Sequence, residues 1–363
     1  MSRSAPRGSR SAAPAASRPP PHRVEFLFLP GLGPVVAAEL AELPGAGPIR
    51  QVPGRDDSFA AGYTGAWERL LELRTVVAPF LVLSFPVPRP RSLTSGEYLP
   101  QIAGAIGLVR RLNPGAVTTF RIDAAGSGSA GFRRLAAALA GLTGLVPVDK
   151  GGEVLLRFRR PPGEGGWDVL VRLCTRPLSA RPWRVRDLPG AANATIAAAM
   201  SRMTAPAPGD RVANLMCGSG TLLIERLLAA PAKTAVGIDS DPAAVAACEA
   251  NLAAAGLGGR ALILGGDIAG AAWASHGPFD VILVDPPWGT LMGDHADGEA
   301  VHAGLLARAH AAAAPGARLA VLTHEIRVME RCLRQAAGRW AQRDAVRVFQ
   351  KGHHPRIYLL SKR

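Results

Sequence analysis

The chain has 363 residues, with 42 Lys plus Arg against 28 Asp plus Glu, for a formal net charge of +14. That length holds two or three domains with real cores, and a 48% hydrophobic content is ample to fill them. Cys174, Cys217, Cys248 and Cys332 stand far apart, without the spacing of a zinc site or a disulfide framework. Apolar runs such as Val76 to Val87 are too short and interrupted to span a bilayer, and no signal peptide is visible. The composition therefore predicts a cytoplasmic protein with no membrane segment and no metal. Its positive charge suits a polyanionic partner.

Residues 1–22 mix Ser, Pro, Ala and Arg with almost no apolar periodicity and read as a disordered basic arm. Pro6 and Pro14 argue against an amphipathic transit helix. From 23 to 88 the pattern is strand (Val24 to Leu29), helix (Gly33 to Leu43), then strands at Ser58 to Tyr63, Ala66 to Arg74 and Val76 to Phe85. This order suits a small ferredoxin-like unit. Arg89-Pro90-Arg91 punctuates the chain. From 89 to 180 follow a helix (Tyr98 to Leu112), a strand (Thr118 to Asp123), a helix (Gly131 to Leu142) and strands at Glu153 to Arg159 and Trp167 to Cys174.

The remainder, 181–363, alternates strands and helices as an open parallel sheet does. Val212 to Leu215 runs into Met216-Cys217-Gly218-Ser219-Gly220-Thr221 and then an apolar helix, a strand, glycine turn and helix in succession. The glycines let the backbone pass close to a ligand, and the helix N-terminus offers free amides. A third glycine is missing, which disfavours a pyrophosphate. Asp239 follows Gly218 by 21 residues at the end of Ala235 to Ile238, where a carboxylate binds ribose hydroxyls. Asp267 closes a third strand, Ala261 to Leu264, and could accept from an adenine amino group. Asp241, ahead of Pro242, reads as a helix cap.

Phe279 to Val284 reads as a strand buried on both faces, and Asp285-Pro286-Pro287-Trp288 follows it. Two prolines end the strand and leave carbonyls free to accept. A carboxylate, a proline carbonyl and an indole together can grip a planar base through its exocyclic amine. Acceptors that draw the amine hydrogens out of plane free its lone pair for attack. The last elements expected are a helix at Val301 to Ala314 and strands at Arg318 to Thr323, Ala345 to Gln350 and Arg356 to Leu360.

Cys217-Gly218-Ser219-Gly220-Thr221 with Glu225, Gly237-Ile238-Asp239, Asp285-Pro286-Pro287-Trp288-Gly289 and Pro355-Arg356-Ile357-Tyr358 occur in the order found in one family. Residues 181–363 resemble a class I S-adenosylmethionine-dependent methyltransferase, of the RNA guanine-N2 type that carries an N-terminal THUMP domain. Phe120-Arg121-Ile122, Val148-Asp149 and Leu178 to Arg184 carry a looser THUMP likeness. The resemblance implies an α/β protein: a Rossmann-like methyltransferase sheet behind an α+β ferredoxin-like and THUMP RNA-binding region. It implies S-adenosyl-L-methionine as cofactor and tRNA as partner.

Carried onto matching positions, the resemblance makes Asp285, Pro286, Pro287 and Trp288 the catalytic set. Asn214, Cys217, Gly218, Gly220, Thr221, Asp239 and Asp267 become cofactor contacts. One position departs. Relatives have Asp-Pro where this chain has Asn214-Leu215, so the charge that helps hold the cofactor's amino-acid end is lost. The alternatives are ribosomal RNA guanine, nucleic-acid adenine or protein glutamine as substrate, or a degenerate RNA-binding relative.

Residues 1–180 carry 22 Lys plus Arg and 13 Asp plus Glu, a balance of +9, against +5 (20 and 15) for 181–363. Guanidinium groups match phosphate geometry. The cluster around Arg157, Arg159, Arg160 and Arg172, and above all Arg176, Arg181, Arg184 and Arg186 in the linker, is the expected RNA contact. The histidines, including His295, His302, His353 and His354, read as solvated or RNA-facing.

Overall fold

The computed structural model describes residues 21–161, 165–287, 295–350 and 352–363; for 295–297 it describes the backbone alone. The basic arm up to residue 20 lies outside the described residues, and so does Trp288.

In the front half, strands β1 (His22–Phe28), β2 (Arg50–Gln51), β3 (Ser58–Tyr63), β4 (Val76–Phe85), β5 (Thr119–Asp123), β6 (Val146–Pro147), β7 (Val154–Arg159) and β8 (Trp167–Arg172) form one sheet, ordered β2-β3-β1-β4-β8-β7-β5-β6. The sheet runs across the expected boundary at 88/89, because β4 and β8 pair antiparallel from Phe80↔Arg172 to Phe85↔Trp167. Helices α1 (Gly33–Ala41), α2 (Leu99–Leu112) and α3 (Ala130–Thr143) bury Val36, Ile106 and Leu135 against one face, with Phe26, Leu81, Leu156 and Val169. Such a layer of helix on sheet is how each element hides its apolar stripe. Ala66 to Arg74 is not a strand. It is a short 3₁₀ turn over Trp67–Leu71, which buries Leu70 in the hydrophobic core.

The second half runs α4 (Ala194–Met203), β9 (Arg211–Leu215), α5 (Thr221–Ala229), β10 (Thr234–Asp239), α6 (Pro242–Ala254), β11 (Leu262–Gly265), β12 (Phe279–Val284), α7 (His295–Ala312), β13 (Ala313–Thr323), α8 (Ile326–Gln335), β14 (Trp340–Arg347) and β15 (Arg356–Lys362). Its sheet is ordered β11-β10-β9-β12-β13-β15-β14. β9 to β13 are parallel, while β15 is antiparallel to both its neighbours. Strand order reverses between β9 and β12, which opens a crevice at their carboxyl ends. Val281, Ile282, Leu283 and Val284 of β12 are fully buried, as a central parallel strand requires. Asp241 caps α6, accepting from the Ala243 N–H at 2.8 Å, as its place before Pro242 predicts.

The halves are joined by buried charge. Glu225 of α5 is wholly buried, and its carboxylate receives Arg74 from the front half at 2.7 Å and Arg181 from the linker at 2.8 Å. Arg181 also donates to the Leu178 and Arg74 carbonyls, both at 2.7 Å. Glu39 of α1 holds the same corner by accepting from the Arg74 and Thr75 amides at 2.9 Å. A second junction lies at Gly31, where φ is +95° and an added Cβ would fall 1.9 Å from the Arg347 carbonyl oxygen. Beside it the Phe349 N–H donates to the Pro30 carbonyl at 3.1 Å.

Removing one member of a buried ion pair strands the others without compensation. Glu225→Ala is therefore expected to cost about 3–5 kcal/mol in urea unfolding. A loss below about 0.5 kcal/mol, within the range of an ordinary surface substitution, would show that the triad does not hold the halves together.

Candidate active site

At the crevice the backbone of the β9–α5 turn is sharply bent. Met216 and Gly218 take φ of +51° and +52°, and Gly220 takes +80°. Gly220 leaves no alternative, since a Cβ there would lie 2.5 Å from the Cys248 sulfur. At Gly218 nothing lies within 4 Å of the Cβ position, so there the turn is open to the cavity. The Cys217 N–H donates to the Ile238 carbonyl at 2.9 Å, which ties the turn to β10.

Asp239, the last residue of β10, accepts the Gly218 N–H on Oδ2 at 2.8 Å and the Asp241 N–H on Oδ1 at 3.1 Å. Asp239 itself lines the crevice. The turn is held from behind by Asn251 of α6, fully buried, which donates to the Ser219 carbonyl at 2.9 Å and the Arg186 carbonyl at 2.8 Å. Its Oδ1 accepts the Arg186 N–H at 2.9 Å.

A cavity of about 500 Å³ occupies this crevice, lined by Met216, Cys217, Gly218, Thr221, Asp239, Asp285, Pro286 and Pro287, among others. The near wall is the strap Leu188-Pro189-Gly190-Ala191-Ala192. The reading of the sequence did not single out that strap. Its only signals were the Pro189-Gly190 turn, with Gly190 at φ +79°, and the cap Asn193, which accepts the Thr195 N–H at 2.9 Å. Glycine bend, ribose-type carboxylate and Asp-Pro-Pro thus face one space.

Asp285 stands where β12 ends, and its Oδ1 is buried with no hydrogen-bond partner among the described residues. Burial pushes its carboxyl up to about 8. An unsatisfied acceptor of this kind in a cleft marks a site awaiting a donor.

Three expected contacts, Asn214, Arg181 and Arg184, are placed elsewhere. Asn214 is fully buried within the sheet; its amide donates to the Leu283 carbonyl of β12 at 3.0 Å, so it braces the two central strands and does not line the cavity. Asp267 is exposed just past β11, whose Gly265 pairs with Asp239, and its Oδ1 accepts the Ala269 N–H at 2.7 Å. Arg181 belongs to the Glu225 triad. Arg184 donates to the Ala192 carbonyl at 2.7 Å and the Thr221 hydroxyl at 2.8 Å, holding the strap against α5. Both guanidiniums are thus committed to structure and are unavailable to phosphate. Arg176 and Arg186 are exposed.

His302 is also not solvated. It is fully buried, with Nδ1 on the Gly298 carbonyl at 2.8 Å and Nε2 on the Thr323 hydroxyl at 3.0 Å. The cysteines are all buried and unpaired, and no metal-binding group of His, Cys, Asp or Glu occurs among the described residues. No described helix is long and apolar enough to cross a membrane.

An unfolded aspartate loses its proton near about pH 3.9. The folded Asp285 holds its proton up to about pH 8. The folded state is therefore favoured by this group below pH 4 and progressively penalised as pH rises to 8. Asp285→Asn, which keeps the shape without the charge, is expected to stabilise the protein at pH 8 by at least about 1 kcal/mol, with little effect at pH 4. Urea midpoints at the two pH values test this; an equal or smaller gain at pH 8 would contradict it.

Known proteins share sequence and fold with this chain. A tRNA (guanine(6)-N2)-methyltransferase of Thermus thermophilus is 29% identical over 263 residues, 67% of this chain and 72% of that protein. The crystal structure of TrmN from Thermus thermophilus superposes with a TM-score of 0.72 at 25% identity, covering 94% of this chain and 99% of that one. A release factor glutamine methyltransferase of Rhodospirillum rubrum is 41% identical over 80 residues, 22% of this chain. The chain spans only 18% to 24% of the length of the curated relatives it matches over 80 residues. Residues 181–356 match the family model described as UPF0020: RMKL-like, methyltransferase domain.

The fold is that of class I methyltransferases, whose donor is S-adenosylmethionine, and the residues present fit it. The open Gly218 face accommodates a ligand against the backbone, and Asp239 can bind two hydroxyls. The buried Asp285 oxygen lies across the same cavity as an acceptor for an amine. The cavity thus lies within residues 181–356, the stretch similar to a methyltransferase domain.

Proposed function

We propose that the protein transfers a methyl group from S-adenosylmethionine to the exocyclic N2 amine of a guanine in tRNA. One observation carries the reading: a single cavity joins the glycine bend to Asp285-Pro286-Pro287, and its Asp285 oxygen is buried without a donor. The relative that shares residues of both halves methylates guanine N2 in tRNA, whereas the glutamine methyltransferase matches over 80 residues alone. That difference favours RNA over a protein substrate.

When bound, S-adenosylmethionine supplies a methyl group already activated on a sulfonium. The chain's own work is then placement and electrostatics. Gly218 and Thr221 with Asp239 seat the donor. Asp285 accepts from the amine and stabilises the positive charge that grows on its nitrogen. Pro286 is buried and Pro287 exposed at the mouth, so the base enters past Pro287. A base paired in a helix must be turned out to reach Asp285. Trp288, the proposed stacking partner, lies outside the described residues. Asn214 does not reach the cavity, so replacing the usual Asp does not by itself argue for a degenerate protein. The domain roles follow: the sheet of residues 22–172 and the exposed Arg176 and Arg186 hold RNA, and 181–363 does the chemistry.

Two measurements test this. Mass spectrometry of tRNA nucleosides from cells with and without the gene should show N2-methylguanosine lost at one position; an unchanged profile would refute the substrate. Asp285→Ala should lower turnover at least about a hundredfold, with S-adenosylhomocysteine affinity nearly unchanged, because only an acceptor aimed at developing charge is removed. Parallel losses in both would remove Asp285 from the role assigned.

A further inference from the structure

Six large apolar side chains stand exposed among the described residues, and only one of them, Phe349 at 39%, is aromatic. Single exposed apolar groups are ordinary. The position of this one is not. Phe349 lies in the turn between β14 and β15, closed by Val348 N–H to Pro355 at 2.9 Å and by reciprocal 2.9 Å bonds between Gln350 and His353.

Arg356, which opens β15, pairs with Thr323 at the end of β13 and with Arg347 at the end of β14. The turn therefore projects from the same end of the sheet as Asp285, two to three strands away from β12, or about 10–15 Å at normal strand spacing. The Phe349 ring lies 5.1 Å from the His354 ring, and His353 meets His324, just past β13, at 5.6 Å. His353, His354 and the neighbouring Arg347 are exposed.

The base of the turn is fixed and its outer face is open. Phe349 donates its N–H to Pro30, Val348 is wholly buried, and the Gly31 backbone closes on Arg347. A ring held in this way loses little freedom when it stacks on a partner.

Turning a base out of a stack leaves its neighbours without one of their faces. Aromatic side chains restore that contact in RNA recognition, in any sequence, because every base has a π-face. We propose that Phe349 and His354 form a stacking platform for the nucleobase next to the methylated one, with Arg347 beside it for the phosphate. The inference rests on the reading of the protein as an RNA methyltransferase. It adds a substrate subsite outside the cavity that holds donor and target amine.

The probe is bulk tRNA from cells lacking the gene, used with the full chain in two assays: binding in the presence of S-adenosylhomocysteine, and methyl transfer. Phe349→Ala is expected to weaken tRNA binding and raise the tRNA KM about tenfold, the scale of one lost base–aromatic stack. S-adenosylhomocysteine affinity should stay within twofold, and kcat within threefold. Phe349→Trp should restore tRNA binding, and His354→Ala should cost less than Phe349→Ala.

A tRNA KM for Phe349→Ala within twofold of the parent overturns the platform. So does a Trp variant as weak as Ala, or a parallel fall in S-adenosylhomocysteine affinity, since either makes Phe349 a packing residue against Pro30. Phe349-dependent tRNA binding without methyl transfer to RNA would keep the platform and remove the proposed reaction. Failure of the parent to bind tRNA would remove both.

Discussion

The carboxylate of Glu225 is the interaction on which the rest of the molecule turns. It sits one helical turn beyond the glycine bend, wholly buried, and takes one guanidinium from the front half and one from the linker. Desolvation pulls the Arg181 guanidinium below its usual value, and only Glu225 beside it opposes that shift strongly. Charges so deep are kept only when each is paired and bonded. One buried side chain on α5 therefore fixes where the front sheet stands, how the linker leaves it and where the helix behind the donor pocket lies.

From that point the strap follows as a consequence. Arg184 ties the Ala192 carbonyl to Thr221 at the start of α5, and Asn251 ties Arg186 to the Ser219 carbonyl within the glycine bend. The wall at Leu188 to Ala192 is thereby referenced to the floor it faces. A cofactor pocket assembled from a linker and a turn has no core of its own to shape it, so polar bonds do that job. Two of the linker's cations, Arg181 and Arg184, are thereby spent on structure, while Arg176 and Arg186 stay exposed.

The parts of this arrangement that depend on chain-local chemistry were legible in the sequence. Val76–Phe85 and Phe279–Val284 fall on the expected residues because each is a run rich in β-branched and apolar side chains with clear stops, and Ser58–Tyr63 because two aromatics stand between turn residues. The glycine bend, Asp239 and Asp285 stand at strand ends because sequence order and parallel topology together leave few other places. Helix α4 escaped because Ala194 through Ser201 are buried on every side, so it shows no polar stripe to reveal its period. Partner choice was not legible at all. Whether Arg181 meets a phosphate or Glu225, and whether Asn214 meets a ligand or Leu283, is decided by residues tens of positions away.

Asp285 shows why such a site tolerates its own discomfort. A carboxyl whose charged form is disfavoured by burial weakens the folded state as pH rises, and the central strands around it must supply the difference. Fully buried Val281 to Val284 between β9 and β13 do so, since a strand paired on both sides cannot relax to hydrate the acid. The same burial sets the electrostatics. For a carboxyl this buried, an opposite charge nearby favours ionisation far more than it would in solution. Asp239 is already committed to the Gly218 and Asp241 amides. A positive centre entering between these two acids would therefore act chiefly on Asp285, drawing its neutral carboxyl toward the ionised form.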